Sequence, residues 1–168
     1  SNRLKELSEK CGPPSILNIG LNSKKYNEIK KKLNINLASK LYLRFILSYS
    51  IDVMRLDEEL FDPVVNKTIS ESSIKEALAI YAEEMSEPFP QNAKQQLEQV
   101  LNSMIRAWNG TTARLLRQVQ NAPEDAGFGL IIQRMVLGFG KTESGSGVAQ
   151  FVSPLDGSKK VTGRYLSQ

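Results

Sequence analysis

The apolar positions in the first two-thirds of the chain recur every three to four residues, which is the period of amphipathic α-helices. They predict a basic helix at residues 23–33, a strongly apolar helix at 36–54 and amphipathic helices at 71–85, 92–108 and 111–120. A short charged helix is also expected at residues 3–10. Ser23 and Asn92 are the expected N-terminal caps, because their side-chain oxygens can accept hydrogen bonds from free backbone N–H groups.

The apolar residues of the helix at 36–54 are spread around its circumference, so we expect most of its sides to be buried. Arg44 is the charge that interrupts this pattern. A buried charge requires a partner, because an unpaired ion is costly outside water. Arg44 therefore predicts either a structural ion pair or snorkelled side chain, or a contact with a bound anion.

The hydrophobic pattern changes at residues 123–129, and short segments then predict β-strands at 129–137, 147–152 and 160–166. Residues 138–146 and 153–158 connect these strands, and the second connector contains a Pro-Leu-Asp-Gly turn. The predicted fold class is α+β. A mostly helical subdomain at residues 1–122 precedes a small antiparallel β-meander at residues 123–168.

The composition removes several kinds of chemistry, because the 168-residue chain has no histidine and a single cysteine, Cys11. A Ser-His-Asp triad, a histidine zinc site and a phosphohistidine carrier are excluded within this chain. The remaining metal ligands are carboxylates and backbone oxygens, which favour magnesium over zinc. A lone cysteine cannot form an internal disulfide and fits a reducing cytoplasm.

The net charge of +4 is unevenly distributed and does not form the continuous basic stripe of a nucleic-acid-binding protein. The dense basic run at residues 24–32 predicts a solvated helix face, with phosphate or nucleic-acid contact as the alternative. Neither a membrane-length apolar run nor a signal peptide is found, so we expect no membrane partner.

The densest glycine cluster is the segment GFGKTESGSG at residues 138–147. It is not a P-loop, because Met135 stands where that motif requires its first glycine, and it is not a dinucleotide fingerprint, because Glu143 replaces the third glycine. Two interpretations remain from spacing alone. The segment is either a flexible hairpin tip or a glycine-rich flap whose backbone N–H groups approach an anion.

A family resemblance separates these two interpretations. Residues 135–157, MVLGFGKTESGSGVAQFVSPLDG, with GRYL at 163–166, resemble the segment MVFGNxGxxSGTGVxFxRNPxTG…GEYL of pyruvate phosphate dikinases. Upstream, the resemblance includes ILNIGLN at 16–22, YLRF at 42–45, Phe89-Pro90 with Gln96-Leu97 and Trp108, PEDAG at 123–127 and IQRMV at 132–136. The resemblance therefore covers about residues 15–166.

The resemblance implies part of an ATP-grasp-type nucleotide-binding domain. In the full-length enzyme, ATP and Mg²⁺ would be the cofactors, and the phosphohistidine and pyruvate-binding domains of the same chain would be its partners in a homodimeric parent. Gly145, Ser146 and Gly147 would cover the ATP phosphates, and Arg44, which matches an arginine of the family's YRRF motif, would contact them. The resemblance assigns no catalytic residue and no metal ligand within this chain.

The chain also departs from the family pattern. Residues 7–14 match neither its RSGA segment nor its PGMMDT loop, Val152 replaces the arginine of RNP, and Arg164 replaces the glutamate of GEYL. The sequence given stops at Gln168, before the family's QGED segment and its magnesium-binding acidic residues. We therefore expect no dikinase or ATPase activity from this chain alone. The alternatives are a phosphoenolpyruvate synthase fragment and a non-catalytic helical interaction module.

Overall fold

The computed structural model describes residues 15–32, 34–123, 127–136, 144–153 and 155–167. Its helices are α1 (Ser23–Lys32), α2 (Ile35–Ser48), α3 (Asp62–Val65), α4 (Glu71–Met85), α5 (Ala93–Asn109) and α6 (Thr111–Val119), with a π-helical turn at Tyr49–Val53 and a 3-10 turn at Glu58–Phe61. The strands are β1 (Gly145–Val152) and β2 (Lys159–Ser167). The chain divides into two compact units, Ser1–Leu130 and Ile131–Gln168.

The core of the first unit is centred on Phe89, which lies in the loop between α4 and α5 and is 3% exposed. Its ring is 5.1 Å from that of Tyr81, 5.2 Å from that of Tyr49 and 5.8 Å from that of Phe45, centroid to centroid. All three contacts have the edge-on geometry or tilt that aromatic quadrupoles favour. Phe89 therefore joins α4, α2 and the π-helical turn in one aromatic cluster.

A buried amide connects two loops to α5. Gln96 is fully buried; its Oε1 accepts a hydrogen bond from Gly20 N at 2.7 Å, and its Nε2 donates to Leu21 O at 3.0 Å and to Pro90 O at 2.7 Å. The next loop residues add to this connection, since Asn22 Nδ2 donates to Gln91 O at 2.8 Å. One side chain thereby satisfies three backbone groups, which would be costly to bury alone.

The expected caps are corrected in one case and confirmed in the other. Asn22, not Ser23, caps α1, because Asn22 Oδ1 accepts from Lys25 N at 2.9 Å. Ser23 is the first residue of that helix, and its backbone N donates to Gln91 Oε1 at 2.9 Å. Asn92 caps α5 as predicted, accepting from Lys94 N at 2.8 Å. The hydrogen bond from Asn22 to Gln91 O holds Asn22 at the start of α1. A contact between residues so distant in sequence could not be predicted from the local pattern.

A polar chain links α1 to α4. Lys30 Nζ lies 2.6 Å from Glu71 Oε1, and the same carboxylate oxygen accepts from Tyr26 Oη at 3.2 Å. Tyr26 Oη also lies 3.0 Å from the buried Ser39 Oγ, and its ring stacks on that of Tyr42 at 5.2 Å. The basic helix therefore packs through Tyr26, while its exposed lysines lie on its outer side. This arrangement agrees with the prediction of a solvated basic face.

The second unit is an antiparallel hairpin of β1 and β2 in which Ser146 pairs with Leu166, Gly147 with Tyr165 and Val148 with Arg164. The prediction of a strand at residues 129–137 is wrong over its described part, because residues 129–136 have no regular secondary structure. Ile131 and Val136 are 88% and 86% exposed. Their side chains have the β propensity that the sequence showed, but a strand forms only when a neighbouring strand bonds to its backbone.

The α+β fold class is confirmed, with a two-stranded hairpin instead of the expected three-stranded meander. The ATP-grasp assignment and the domain boundary between residues 122 and 123 stay predictions. The short helix predicted at residues 3–10 lies outside the described residues. Among the residues described, no helix combines the length and the hydropathy needed to cross a membrane.

Replacing Gln96 by leucine should destabilise the first unit by about 2 kcal/mol or more, because it leaves Gly20 N–H and the carbonyls of Leu21 and Pro90 without their hydrogen bonds. Urea denaturation followed by far-ultraviolet circular dichroism measures this loss. Gln95→Leu is the matched control, since Gln95 is exposed one position earlier on the same helix. Equal stability of the two variants would contradict a structural role for the buried amide.

Tyr81→Phe should make the protein less sensitive to alkali. The Tyr81 hydroxyl is buried without a hydrogen-bond partner among the described residues, and burial, with the charge of Glu87, raises the pKa of Tyr81 to about 12. The stability that the neutral phenol provides is complete below pH about 10 and is lost as the pH rises from about 10 towards 12. Burial also raises the pKa of Tyr49, so part of the alkaline loss should remain in the variant.

The measurement is the free energy of unfolding of Tyr81→Phe at neutral pH and at several values between about 10 and 12. At neutral pH the variant should be as stable as the parent or more stable, because it removes a buried hydroxyl that makes no described hydrogen bond. Tyr165→Phe, at an exposed ring of the hairpin, is the control. An unchanged alkaline loss in Tyr81→Phe would show that Tyr81 is not its source.

Candidate functional site

The proposed phosphate residues lie together at the start of β1. Gly145, Ser146 and Gly147 are consecutive in this strand and pair with Ser167, Leu166 and Tyr165 of β2. The prediction that Gly145 and Ser146 belong to a loop is therefore wrong, since the strand begins two residues before the expected position. Most of the predicted loop, residues 138–143, lies outside the described residues. Ser146 is exposed, and it lies at the end of the hairpin where β1 begins, opposite to the turn.

Close approach of the two strands explains why glycines occupy this end of the hairpin. A Cβ atom added to Gly147 would lie 2.5 Å from Arg164 O, and one added to Gly145 would lie 2.5 Å from both Leu166 O and Tyr165 Oη. Such separations are not tolerated, so a larger residue would push the strands apart. The Tyr165 ring covers the space above Gly145. These glycines therefore have a structural function as well as any part in binding.

Arg44 belongs to the other unit, and its setting corrects the sequence interpretation. The residue is exposed on α2, whereas its neighbours Leu43 and Phe45 are buried. It lies one turn after the exposed Lys40, so the two cations occupy one solvent-facing stripe of the helix. The helix is buried on most of its sides as expected, but Arg44 is not a buried charge, because apolar residues flank this stripe without covering it. Its guanidinium is accessible to an anion.

The upstream motifs that carry the resemblance are mainly structural. Phe89 and Gln96 form the aromatic and hydrogen-bonded centres of the first unit, and Tyr42 is 1% exposed. Gly20, in the ILNIGLN segment, has φ +98°, which favours glycine, and it donates its N–H to Gln96. Sequence reasoning identified these positions but did not identify their function, since burial of a glutamine is rarely visible in a hydrophobic pattern.

Trp108 belongs to a stacked arrangement where α5 meets α6. The Arg117 guanidinium lies 4.1 Å from the centre of the Trp108 ring, and Arg117 Nη1 donates to Trp108 O at 2.8 Å. Phe128 contacts the same ring at 5.3 Å between centroids. The family's tryptophan position therefore fixes α6 and the segment that follows it through a cation–π contact.

The turn between β1 and β2 is held by a carboxylate. Hydrogen bonds from Ser153 and Ser158 lower the pKa of Asp156 to about 2. Ser158 Oγ donates to Asp156 Oδ1 at 2.8 Å, and Gly157 has φ +73°. The prediction of a turn at residues 153–158 is confirmed at its described residues, and the ionised Asp156 serves the turn instead of a metal site.

No group of three or more acidic or thiol side chains that could hold a metal ion is found among the described residues. A small cavity in the described part of the first unit has a volume of about 10 Å³ and is lined by Ile16, Asp52, Val53, Arg55, Val100, Ser103 and Met104. That volume is enough for a single water at most.

Comparison with known proteins confirms the family resemblance. The chain is 31% identical over 169 residues to a pyruvate, phosphate dikinase of Clostridium symbiosum, covering 90% of this chain and 19% of the relative. It is 28% identical to the chloroplastic enzyme of Flaveria trinervia and to the enzyme of Rickettsia conorii, again over 90% of this chain. No protein-family model matches the chain. The chain thus corresponds to one segment of these enzymes and spans about a fifth of their length.

Gly147→Ala should break the hairpin and leave the helical unit folded. A Cβ at this position would lie within 2.5 Å of Arg164 O, and an isolated two-stranded hairpin has little stability to absorb that clash. Cross-strand nuclear Overhauser effects between residues 147 and 165 should disappear. Gly129→Ala is the control, because its added Cβ would have no neighbour within 4 Å. Retained cross-strand contacts in Gly147→Ala would contradict the steric explanation.

Proposed function

We propose that this chain is part of the nucleotide-binding domain of a pyruvate, phosphate dikinase, in which it contacts the phosphates of ATP. The observation that supports this most strongly is similarity to such enzymes over 90% of the chain. The match includes the glycine segment at residues 138–147, which is the part of the sequence with the composition of an anion-binding loop. The parent reaction would convert ATP, pyruvate and phosphate to AMP, phosphoenolpyruvate and pyrophosphate.

The proposed contacts use three residues of β1 and one of α2. The Ser146 hydroxyl would donate a hydrogen bond to a phosphate oxygen, and Gly145 and Gly147, on either side of it in the strand, would contribute backbone groups only. The exposed guanidinium of Arg44 would neutralise phosphate charge. Phosphoryl transfer depends largely on such positioning and charge neutralisation, so residues that make no covalent bond still affect the rate.

The chain by itself is proposed to bind without catalysing the reaction. It contains no histidine, so a phosphohistidine intermediate would need another domain of the same parent protein. Its described residues provide no metal-ligand cluster, so Mg²⁺ would arrive bound to the ATP phosphates. A pyruvate-binding domain and a homodimeric parent belong to the same proposal. The single cysteine favours a reducing compartment such as the cytoplasm, although some relatives are named chloroplastic.

We expect the purified 168-residue chain to bind ATP·Mg²⁺ weakly and to show no turnover with ATP, phosphate and pyruvate. Binding is followed by 15N-resolved NMR titration, which measures millimolar dissociation constants. Arg44→Gln and Ser146→Ala should each weaken binding several-fold, since each removes a hydrogen bond to a charged group. Arg106→Gln is the matched control for Arg44, because Arg106 is an exposed arginine on another helix of the same unit.

Two results would overturn parts of this proposal. Absence of saturable shifts with ATP·Mg²⁺ would refute nucleotide binding and would favour a helical interaction module, in which the glycine segment is only a connection. Measurable formation of AMP and phosphoenolpyruvate would refute inactivity in isolation. Equal effects of Arg44→Gln and Arg106→Gln would remove Arg44 from the site and leave the hairpin residues to be judged by Ser146→Ala.

A further inference from the structure

The β1–β2 hairpin has two chemically different faces. Paired residues of antiparallel strands point to the same side, and so do alternate residues along each strand. One face, the glycine face, carries Gly145, Gly147, Ala149, Gly163 and Tyr165. The opposite face, called here the serine face, carries Ser146, Val148, Gln150, Thr162, Arg164 and Leu166. The serine face offers hydroxyl, amide and guanidinium groups, whereas the polar side chains of the glycine face are the hydroxyls of Tyr165 and of Ser167, which pairs with Gly145.

Arg164 lies close to Ser146 on the serine face. Val148 pairs with Arg164 and Ser146 pairs with Leu166, so Ser146 and Arg164 are diagonal neighbours across the two strands. Diagonal Cα atoms in such a ladder are about 7–8 Å apart, which a guanidinium on its three-carbon stem can span. Both residues are exposed. A group bound at the Ser146 hydroxyl is therefore within reach of the Arg164 side chain.

The charges of the hairpin favour an anion on this face. Neither strand contains an acidic residue, and the two together contain Lys159, Lys160 and Arg164. Lys159 and Lys160 are at the turn end, four or more residues from Arg164, whereas Arg164 is the cation of the two strands that lies nearest to Ser146. At about 3.3 Å per residue, Lys160 is roughly 13 Å further along the strand. Among the charged residues of β1 and β2, Arg164 is thus the one beside Ser146.

We propose that Arg164 is an additional phosphate-binding residue of this chain, and that it grips the same phosphate group as Ser146 on the serine face. The proposal rests on the proposed function and adds to it a cation at a position where the family pattern has a glutamate. A planar guanidinium can bind two phosphate oxygens at once, while the Ser146 hydroxyl donates to a third. The ligand class is a polyphosphate chain, as in a nucleoside triphosphate.

This assignment changes the meaning of the departures from the family pattern. The arginine that the family carries at the position of Val152 is missing, which by itself suggests a weakened site. Val152 is close to the turn, where it pairs with Lys159 beyond a register shift, whereas Arg164 pairs with Val148 nearer to Ser146. Relative to the family pattern, the chain therefore lacks one cation near the turn and has one nearer to the proposed phosphate.

The test is an NMR titration of the 168-residue chain with inorganic tripolyphosphate and, separately, with ATP·Mg²⁺. Arg164→Gln should raise the dissociation constant for both ligands at least about tenfold, as expected for loss of hydrogen bonds to a charged group. Arg164→Lys keeps the charge without the planar fork and should give an intermediate value. Lys160→Gln is the matched control and should change the constant less than about twofold, because its distance exceeds the screening length of about 8–10 Å at moderate salt.

The outcomes separate the inference from the proposed function. If the unmodified chain binds neither ligand, the proposed function fails and this inference fails with it. If Ser146→Ala weakens binding while Arg164→Gln has no more effect than Lys160→Gln, the function stands and the assignment of Arg164 is overturned. Support requires a loss in Arg164→Gln with cross-strand contacts preserved, and a Ser146→Ala/Arg164→Gln double variant weaker by less than the product of the two single effects.

Discussion

The helical unit depends on the satisfaction of three buried backbone groups by one side chain. The Gln96 amide has one acceptor and two donor hydrogens, and it meets one N–H and two carbonyls from two separate loops. Leucine or methionine could fill the same volume but would leave these groups without partners. Gly20 has a positive φ, which favours glycine, and Phe89, next to Pro90 in the other loop, enters the aromatic cluster. The amide and the ring thus fix the loops between which the helices pack.

In the first unit, the similarity to pyruvate, phosphate dikinases includes residues that maintain the fold. The matching positions there are those that hold the loops and helices together, such as Gly20, Tyr42 and Gln96. They are buried or bonded to the backbone and cannot touch a ligand without unfolding their surroundings. Similarity at these positions supports a shared architecture. Support for a shared ligand has to come from exposed positions, which are Arg44 in this unit and the hairpin residues in the other.

The sequence predicted the helices well because burial on one side leaves a period of 3.6 residues, and α4 begins and ends where that pattern does. The sequence-based predictions were wrong where the outcome depends on contacts between segments that are distant in sequence. Arg44 was placed in a buried setting because apolar residues surround it in sequence, but they leave one stripe of α2 open. The strand expected at residues 129–137 has the right composition, but its described residues bond to no strand in the part of the chain that the structure describes. Neither the solvent exposure of one helix face nor the presence of a neighbouring strand can be deduced from a local sequence pattern.

In the hairpin, steric constraint and charge are connected through the register. Gly147 and Gly163 allow the strands to approach so closely that a Cβ on either would meet a carbonyl oxygen of the partner strand. That approach fixes which residues pair, and pairing decides which side chains share a face. A shift of β2 by one residue relative to β1 would move every side chain of β2 to the opposite face. Arg164 would then lie on the glycine face, away from Ser146. The effect of an arginine at this position therefore depends on the glycines, because they set the register that places Arg164 on the same face of the hairpin as Ser146.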